Sequence, residues 1–298
     1  MPIRIAVIGA HRRHTGTGPF VAEWLRRSGC IVTFWDQEKA RSPSETDAVA
    51  ICSPTETHLE YLESAVARGF HIFCEKPMVW PADHSEANFE AVVGRLAEAL
   101  EAARKRGLVV HENTQWVYTL EDFRRIAGEY DPARVRRFRC ELSPSAGNAA
   151  EMLMECSAHA NSLLLALGCS RAENVRARFQ EGAGAALSVD FDSRNASGAK
   201  VEAEYRFTQQ LAQPRHAAYE IDDRRVERRV EINGYRMFLR SEETEAAIDD
   251  PLGRSAADFV GQVRNGAREG VPARIMANIA MSRLLLAACR RPAEPAHA

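Results

Sequence analysis

The sequence predicts an α/β protein of two consecutive domains, and three observations predict it. From residue 3 to about residue 115, short β-branched apolar runs alternate with segments of helical periodicity. Beyond residue 119 the alternation gives way to one apolar helix and a series of short strand-like stretches separated by turn signals. The apolar share of 45% against 27% charged residues is that of a globular protein with ample material for a core. Strands alternating with helices imply a parallel sheet covered by helices, and short strands joined by tight turns imply an antiparallel one.

The elements follow in chain order. IRIAVIG (3–9) is a buried strand closed by glycine, and PFVAEWLRRSG carries Phe20, Val21, Trp24 and Leu25 at helical spacing before Gly29. CIVTFWD (30–36) reads as a second buried strand ending in an acid, and DAVAICS (47–53) as a third. THLEYLESAVARG (57–69) reads as a helix stopped by glycine, and FHIFCE (70–75) as a fourth strand. A helix over 84–106 and a strand over 108–115 complete a Rossmann-type domain, 1–118. Only QEKARSPSET separates Asp36 from Asp47, less than a parallel crossover ordinarily takes, so the helix expected there is vestigial or missing.

Residues 119–298 form the second domain, an α+β unit with a largely antiparallel sheet. TLEDFRRIAGEY connects, RVRRFRCELS is a strand, and EMLMECSAHANSLLLALG (151–168) is a helix apolar over most of its surface, hence largely buried. VRARFQ, AALSVDF, KVEAEYRFT, HAAYEID, RVERRVEI and GYRMFLR supply the sheet, and helices over 255–267 and 274–290 close the chain.

The net charge of −2 offers no electrostatic footprint for nucleic acid or an anionic membrane, which favours a small-molecule substrate. The seven cysteines are odd in number and never fall in a Cys-x-x-Cys pair, so they read as reduced. The N-terminal apolar run is too short for a signal-peptide core and no run reaches membrane-span length, so a cytoplasmic location is expected. No His/Cys/Asp cluster has metal-ligand spacing, and neither a Walker loop nor a nucleophile elbow is present. The chemistry must come from a bound cofactor.

In an open parallel sheet, ligands lie beyond the carboxyl ends of the strands. The first such segment, GAHRRHTGTG (9–18), holds Gly9, Gly16 and Gly18 but breaks the Gly-x-Gly-x-x-Gly spacing. A helix starting near Gly18 offers unpaired N–H groups to an anion, and His11, Arg12 or Arg13 could add charged contacts, so the loop reads as an enlarged phosphate cradle. Asp36, ending the second strand, suits the two hydroxyls of an unphosphorylated ribose and repels a 2′-phosphate. NAD is expected, with NADP still possible if Arg12, Arg13 or Arg41 neutralises a phosphate.

The stretch 48–78 carries Ser53-Pro54-Thr55-Glu56-Thr57-His58 after one strand, then a helix, then Glu75-Lys76-Pro77 after the next. This combination resembles the glucose–fructose oxidoreductase/inositol dehydrogenase (Gfo/Idh/MocA) family, clearly over residues 3–115 and faintly afterwards. A lysine set by a rigid proline at the mouth of an apolar strand can hydrogen-bond a substrate oxygen and stabilise an alkoxide. The resemblance implies that Lys76 lines the active site, that Ser53, Pro54, Thr55 and His58 border the cofactor, and that Glu75 helps position it. It also implies an Asp-x-x-x-His pair in the second domain. Here the pair is Glu155 and His159, four residues apart on one helical face, with His159 the proton donor or acceptor and Glu155 orienting it. Gln115 is a candidate substrate contact.

The function implied is NAD(P)-dependent hydride transfer on a sugar, cyclitol or related metabolite, by a homo-oligomer (dimer or tetramer). Two alternatives stand beside it on the same fold: imine reduction or a cofactor-assisted elimination or glycoside cleavage, and a catalytically silent dinucleotide- or sugar-binding regulator.

Overall fold

The computed structural model describes residues 1–9, 17–35, 46–81 and 83–290. The chain divides into two compact units, Met1–Gln115 with Pro251–Ile279, and Trp116–Asp250 with Ala280–Ala298.

The first unit holds a five-stranded, wholly parallel sheet in the order β2-β1-β3-β4-β5. Its strands are β1 (Arg4–Ile8), β2 (Ile31–Trp35), β3 (Ala48–Ile51), β4 (His71–Cys74) and β5 (Val110–Glu112). The central strands are apolar because both faces are covered: Val7, Ala48, Ile51, Ile72 and Phe73 expose nothing. The helices are α1 (Gly18–Arg27), α2 (His58–Arg68) and α3 (Glu86–Lys105). Gly69 ends α2 in the left-handed region at φ +82°, and Ser85 caps α3 by accepting from the Asn88 amide.

Three expectations change. The second strand is not buried: it lies at the sheet's edge, with Ile31 51% and Phe34 43% exposed. The fifth strand is shorter than 108–115, because the chain turns into a 3-10 helix at Gln115–Thr119. The third concerns α6 (Pro251–Asn265), which was expected in the second domain but clusters with the first unit. Its Leu252, Ala256, Phe259 and Val260 share a buried cluster with Val21, Ala22 and Leu25 of α1.

The second unit contains α4 (Leu120–Ala127), α5 (Ala149–Ala166) and an eight-stranded sheet ordered β13-β12-β11-β10-β6-β9-β8-β7. The strands are β6 (Arg137–Leu142), β7 (Glu173–Gln180), β8 (Ala186–Arg194), β9 (Lys200–Thr208), β10 (Ala217–Ile221), β11 (Arg224–Glu231), β12 (Arg236–Arg240) and β13 (Glu245–Ile248). All neighbours are antiparallel except β6 with β9. β8 and β9 alternate inward and outward residues, and Phe191, Tyr205 and Phe207 form an aromatic layer beneath α5. Tyr205 is fully buried, and its hydroxyl donates to Asn161 Oδ1 on α5 at 2.9 Å. The last helix, α7 (Val271–Cys289), is apolar and long enough to cross a membrane by composition, yet Ile275, Ile279, Met281, Leu285 and Leu286 are buried in the protein.

The contact of α1 with α6 depends on Gly253, where a Cβ would meet the Trp24 ring at 2.7–2.9 Å. In a helix interior, Gly→Ala ordinarily stabilises by about 1 kcal/mol. Here overpacking reverses the sign, and Gly253→Ala is expected to lower unfolding stability by about 1–3 kcal/mol in a urea titration. A gain in stability would contradict this packing.

Candidate active site at the carboxyl edge of the parallel sheet

β1 lies between β2 and β3, so the direction in which the sheet is built reverses beside it. The crevice there is the ordinary ligand position of an open α/β sheet. Gly9 ends β1 at φ +89°, and a Cβ on it would stand 2.5 Å from Ser53 N and 2.6 Å from Cys52 C and O. Only glycine fits there, with the end of β1 set against the chain that follows β3. Gly18 is buried at the first turn of α1, where Thr17 and Pro19 provide no side-chain cap. The first-turn amides of α1 are therefore unclaimed by its cap residue. His11, Arg12, Gly16 and Asp36 lie outside the described residues.

After β3, Ser53, Pro54 and Thr55 are partly exposed on the same edge, and a single 3-10 turn, Thr55–Thr57, leads into α2. Thr57 Oγ1 contacts Ser53 Oγ at 2.8 Å and the Pro54 carbonyl at 2.7 Å, fixing that turn. His58 is 1% exposed, with Nε2 2.8 Å from the Ser53 carbonyl and Nδ1 3.0 Å from the Pro77 carbonyl. Two carbonyl acceptors favour a doubly protonated ring, while burial favours the neutral one. Burial prevails and holds the His58 pKa below its ordinary value. The ring thus fastens the segment after β3 to the segment after β4.

Glu75, at the end of β4, is 8% exposed and accepts from Asn113 Nδ2 at 2.8 Å. Burial raises its pKa, while Asn113, the Lys76 ammonium and Thr17 pull the other way. Thr17 also bonds Cys52, so one residue at the start of α1 touches groups following β3 and β4. Lys76 is half-buried. Gln115 is half-buried at the first position of its 3-10 turn.

Three groups escaped the sequence reading: Thr17, Glu112 and Asn113. An acid inside the apolar run LVVHENTQ was the available signal for Glu112. Its carboxylate accepts from the Met78 amide at 3.1 Å and from Asn278 Nδ2 at 3.2 Å. It thereby holds the chain two residues beyond Lys76. Burial pushes its pKa up to about 7, against the pull of those donors, Lys76 and Arg274. Asn113 Oδ1 is buried without a hydrogen-bond partner among the described residues, at the same edge. The neighbouring His111 stacks on Phe73 at 5.4 Å and bonds Ser255 at 3.0 Å, with burial lowering its pKa to about 4.

The second-unit candidates both lie on α5, which Asn148 caps by accepting from the Glu151 amide. His159 is 9% exposed, and its carbonyl accepts from Ser162 Oγ at 2.7 Å. Glu155 accepts from Ser145 N and Oγ, both at 2.9 Å, from Ala146 N at 3.2 Å, and from Arg215 at 3.4 Å. Its carboxylate therefore holds the loop that enters α5.

A parallel sheet reversing beside a glycine-tight strand end, opposite an uncapped helix start and a half-buried lysine, defines a dinucleotide-binding domain of the Rossmann type. Residues 4–114 match the oxidoreductase family with an NAD-binding Rossmann fold. The chain is similar to inositol 2-dehydrogenase of Paracoccus denitrificans (strain Pd 1222), at 41% identity over 63 residues, 21% of this chain and 16% of that one. Inositol 2-dehydrogenase of Rhizobium meliloti (strain 1021) is 35% identical over 78 residues, 26% of this chain and 23% of that one. The matched segments thus span less than a quarter of either relative. The whole fold is similar to that of UDP-N-acetylglucosamine 3-dehydrogenase from Acidithiobacillus ferrooxidans, with a TM-score of 0.67, 19% identity, and 97% and 98% of the two chains covered. A 3-ketoreductase from Actinomadura kijaniata, in complex with NADP and TDP-benzene, superposes with a TM-score of 0.60 at 15% identity, again over 97% and 98%.

Glu112 makes stability depend on pH with a definite sign. Between about 4.5 and 7 the folded chain keeps a proton that the unfolded chain has lost, so stability falls as pH rises through that window. His111 works in the opposite sense, the fold gaining as pH rises from about 4 to 6.5. Glu112→Gln should remove only the first contribution, on the order of 3 kcal/mol. Urea unfolding of both proteins at pH 5 and pH 8 should show the variant gaining on the wild type at the higher pH. A constant difference would mean that Glu112 ionises normally.

Proposed function

We propose that the protein is an NAD(P)-dependent dehydrogenase or reductase acting on a carbonyl or alcohol carbon of a sugar, cyclitol or related polar metabolite. The observation that carries this reading is the Gly9 contact with Cys52 and Ser53. It is a strand-end approach that only glycine permits, at the reversal point of a sheet whose sequence matches the NAD-binding oxidoreductase family. The residues present fit the cofactor: backbone at Gly9 and Gly18 for phosphates, Ser53, Pro54 and Thr55 along its flank, and the unpartnered Asn113 Oδ1 as an acceptor at the edge. A bound nicotinamide supplies the hydride exchange.

In this reading Lys76 hydrogen-bonds the substrate oxygen and offsets its developing charge. Glu75 and Glu112 lie close enough to that ammonium to feel its charge. His58 acts through the two carbonyls it holds rather than by touching a ligand. His159 serves as a second proton donor or acceptor, with Glu155 keeping the loop before its helix in place. Asp36 selects NAD over NADP through the ribose hydroxyls. We further propose a cytoplasmic location, with which seven free cysteines are compatible, and a homo-oligomeric state, as the family resemblance implies.

Fluorescence titration with NADH and NADPH tests the reading, and absence of affinity for either would overturn it. Lys76→Ala should keep the NADH dissociation constant while lowering turnover by at least ~10²-fold on whichever polyol or keto-sugar is turned over. Near-normal turnover would remove Lys76 from the chemistry.

A further inference from the structure

Strand β11 carries four arginines, Arg224, Arg225, Arg228 and Arg229. Strand alternation separates them: Arg225 and Arg229 share a face with Glu227, whereas Arg228 lies on the face of Val226, which is fully buried. Arg225 meets Glu141 in a two-pronged pair at 2.8 Å, and Arg229 meets Glu245 at 2.7 Å and Glu231 at 3.0 Å. Among the described residues, no carboxylate stands within ion-pair distance of Arg228. Its guanidinium lies 5.5 Å from the Trp116 ring centre and donates to the Arg215 carbonyl, and its Nε is buried without a hydrogen-bond partner.

Beside it, Arg215 reaches Glu155 through one terminal nitrogen at 3.4 Å, and its Nε is likewise buried and unpartnered. The two cations repel each other, and burial pushes the Arg228 pKa down, while Asp250 and Tyr235 act on it only at longer range. A half-buried cation with no acid in contact is costly to fold around, and buried N–H donors are rarely left unused. Planar guanidinium donors are the usual recognition element for carboxylate and phosphate. Glu155, which Arg215 touches, is one helical turn from His159.

We infer that Arg215 and Arg228 form an anion-binding subsite in the second unit, next to the helix that carries His159, and that the physiological substrate is a sugar derivative bearing a carboxylate or phosphate group. This rests on the dehydrogenase reading and narrows its substrate class. Trp116 offers a flat apolar wall against the guanidinium of Arg228, and the outer face of β11 has its own acids, so the subsite's charge is not consumed by the surface network.

The test is calorimetric titration of the NADH-loaded protein with D-glucose, D-glucuronate, α-D-glucose 1-phosphate and inorganic phosphate. At least one anion should bind with a dissociation constant below ~1 mM and at least ~10-fold tighter than glucose, the scale of a single charge-assisted contact. Glucuronate and glucose 1-phosphate separate the carboxylate source from the phosphate source. Arg228→Gln should abolish the preference and Arg228→Lys should retain part of it, with the NADH affinity unchanged in both. Equal affinities for glucose and the anions in the wild type, binding of no anion below that limit, or a preference that survives Arg228→Gln would each overturn the inference. A protein that binds NADH but shows no anion preference loses this inference alone, whereas one that binds no NADH loses the reading beneath it.

Discussion

The approach of the chain leaving β1 to the chain leaving β3, at Gly9 against Cys52 and Ser53, is the constraint on which the first unit is organised. Parallel pairing places the two strand ends side by side, with the Cys52 amide donating to the Ile8 carbonyl at 2.9 Å. A side chain at Gly9 would force those ends apart. Close backbone approach is what a site for a polyanionic cofactor needs, because backbone amides then reach the phosphates without intervening side chains.

The cost of that edge is a set of buried polar groups, and its ionisable members are each met by a specific partner. Glu75 has Asn113 and Thr17, Glu112 has Met78 and Asn278, His58 has two carbonyls, and His111 has Ser255. Burial displaces all four pKa values toward the neutral form, the carboxyls upward and the imidazoles downward. The partners are drawn from β5, α6, α7 and the segment after β4, so the geometry around Lys76 is held by several elements at once. Such redundancy keeps a half-buried lysine in one place without a rigid loop of its own.

The second unit follows a different logic. Its sheet alternates cleanly where one face packs beneath α5, and its outer face is laced with Arg–Glu pairs such as Arg139–Glu204 at 2.6 Å and Arg225–Glu141 at 2.8 Å. Such half-buried pairs define what an ordinary arginine of this sheet does. Arg228 is conspicuous against that background because it occupies an inward position with no acid at contact distance. Glu155 is similarly committed: four donors fix its carboxylate to the loop before α5 and to Arg215.

Alternation of β-branched runs with helical periodicity determined the parallel unit by itself, and turn-punctuated short strands determined the second sheet, because both periodicities are local properties of the chain. The motif residues Ser53, Pro54, Thr55, Glu75 and Lys76 were legible for the same reason, each directly following a strand. The sequence did not reveal which partners would close around them. Thr17, Glu112 and Asn113 join the edge only because strands distant in sequence become neighbours in the sheet, and α6 joins the first unit only because its apolar stripe finds α1. The exposed edge position of β2 and the acid-free surroundings of Arg228 were likewise decided by tertiary pairing, since burial and charge compensation depend on what lies across the sheet rather than along the chain.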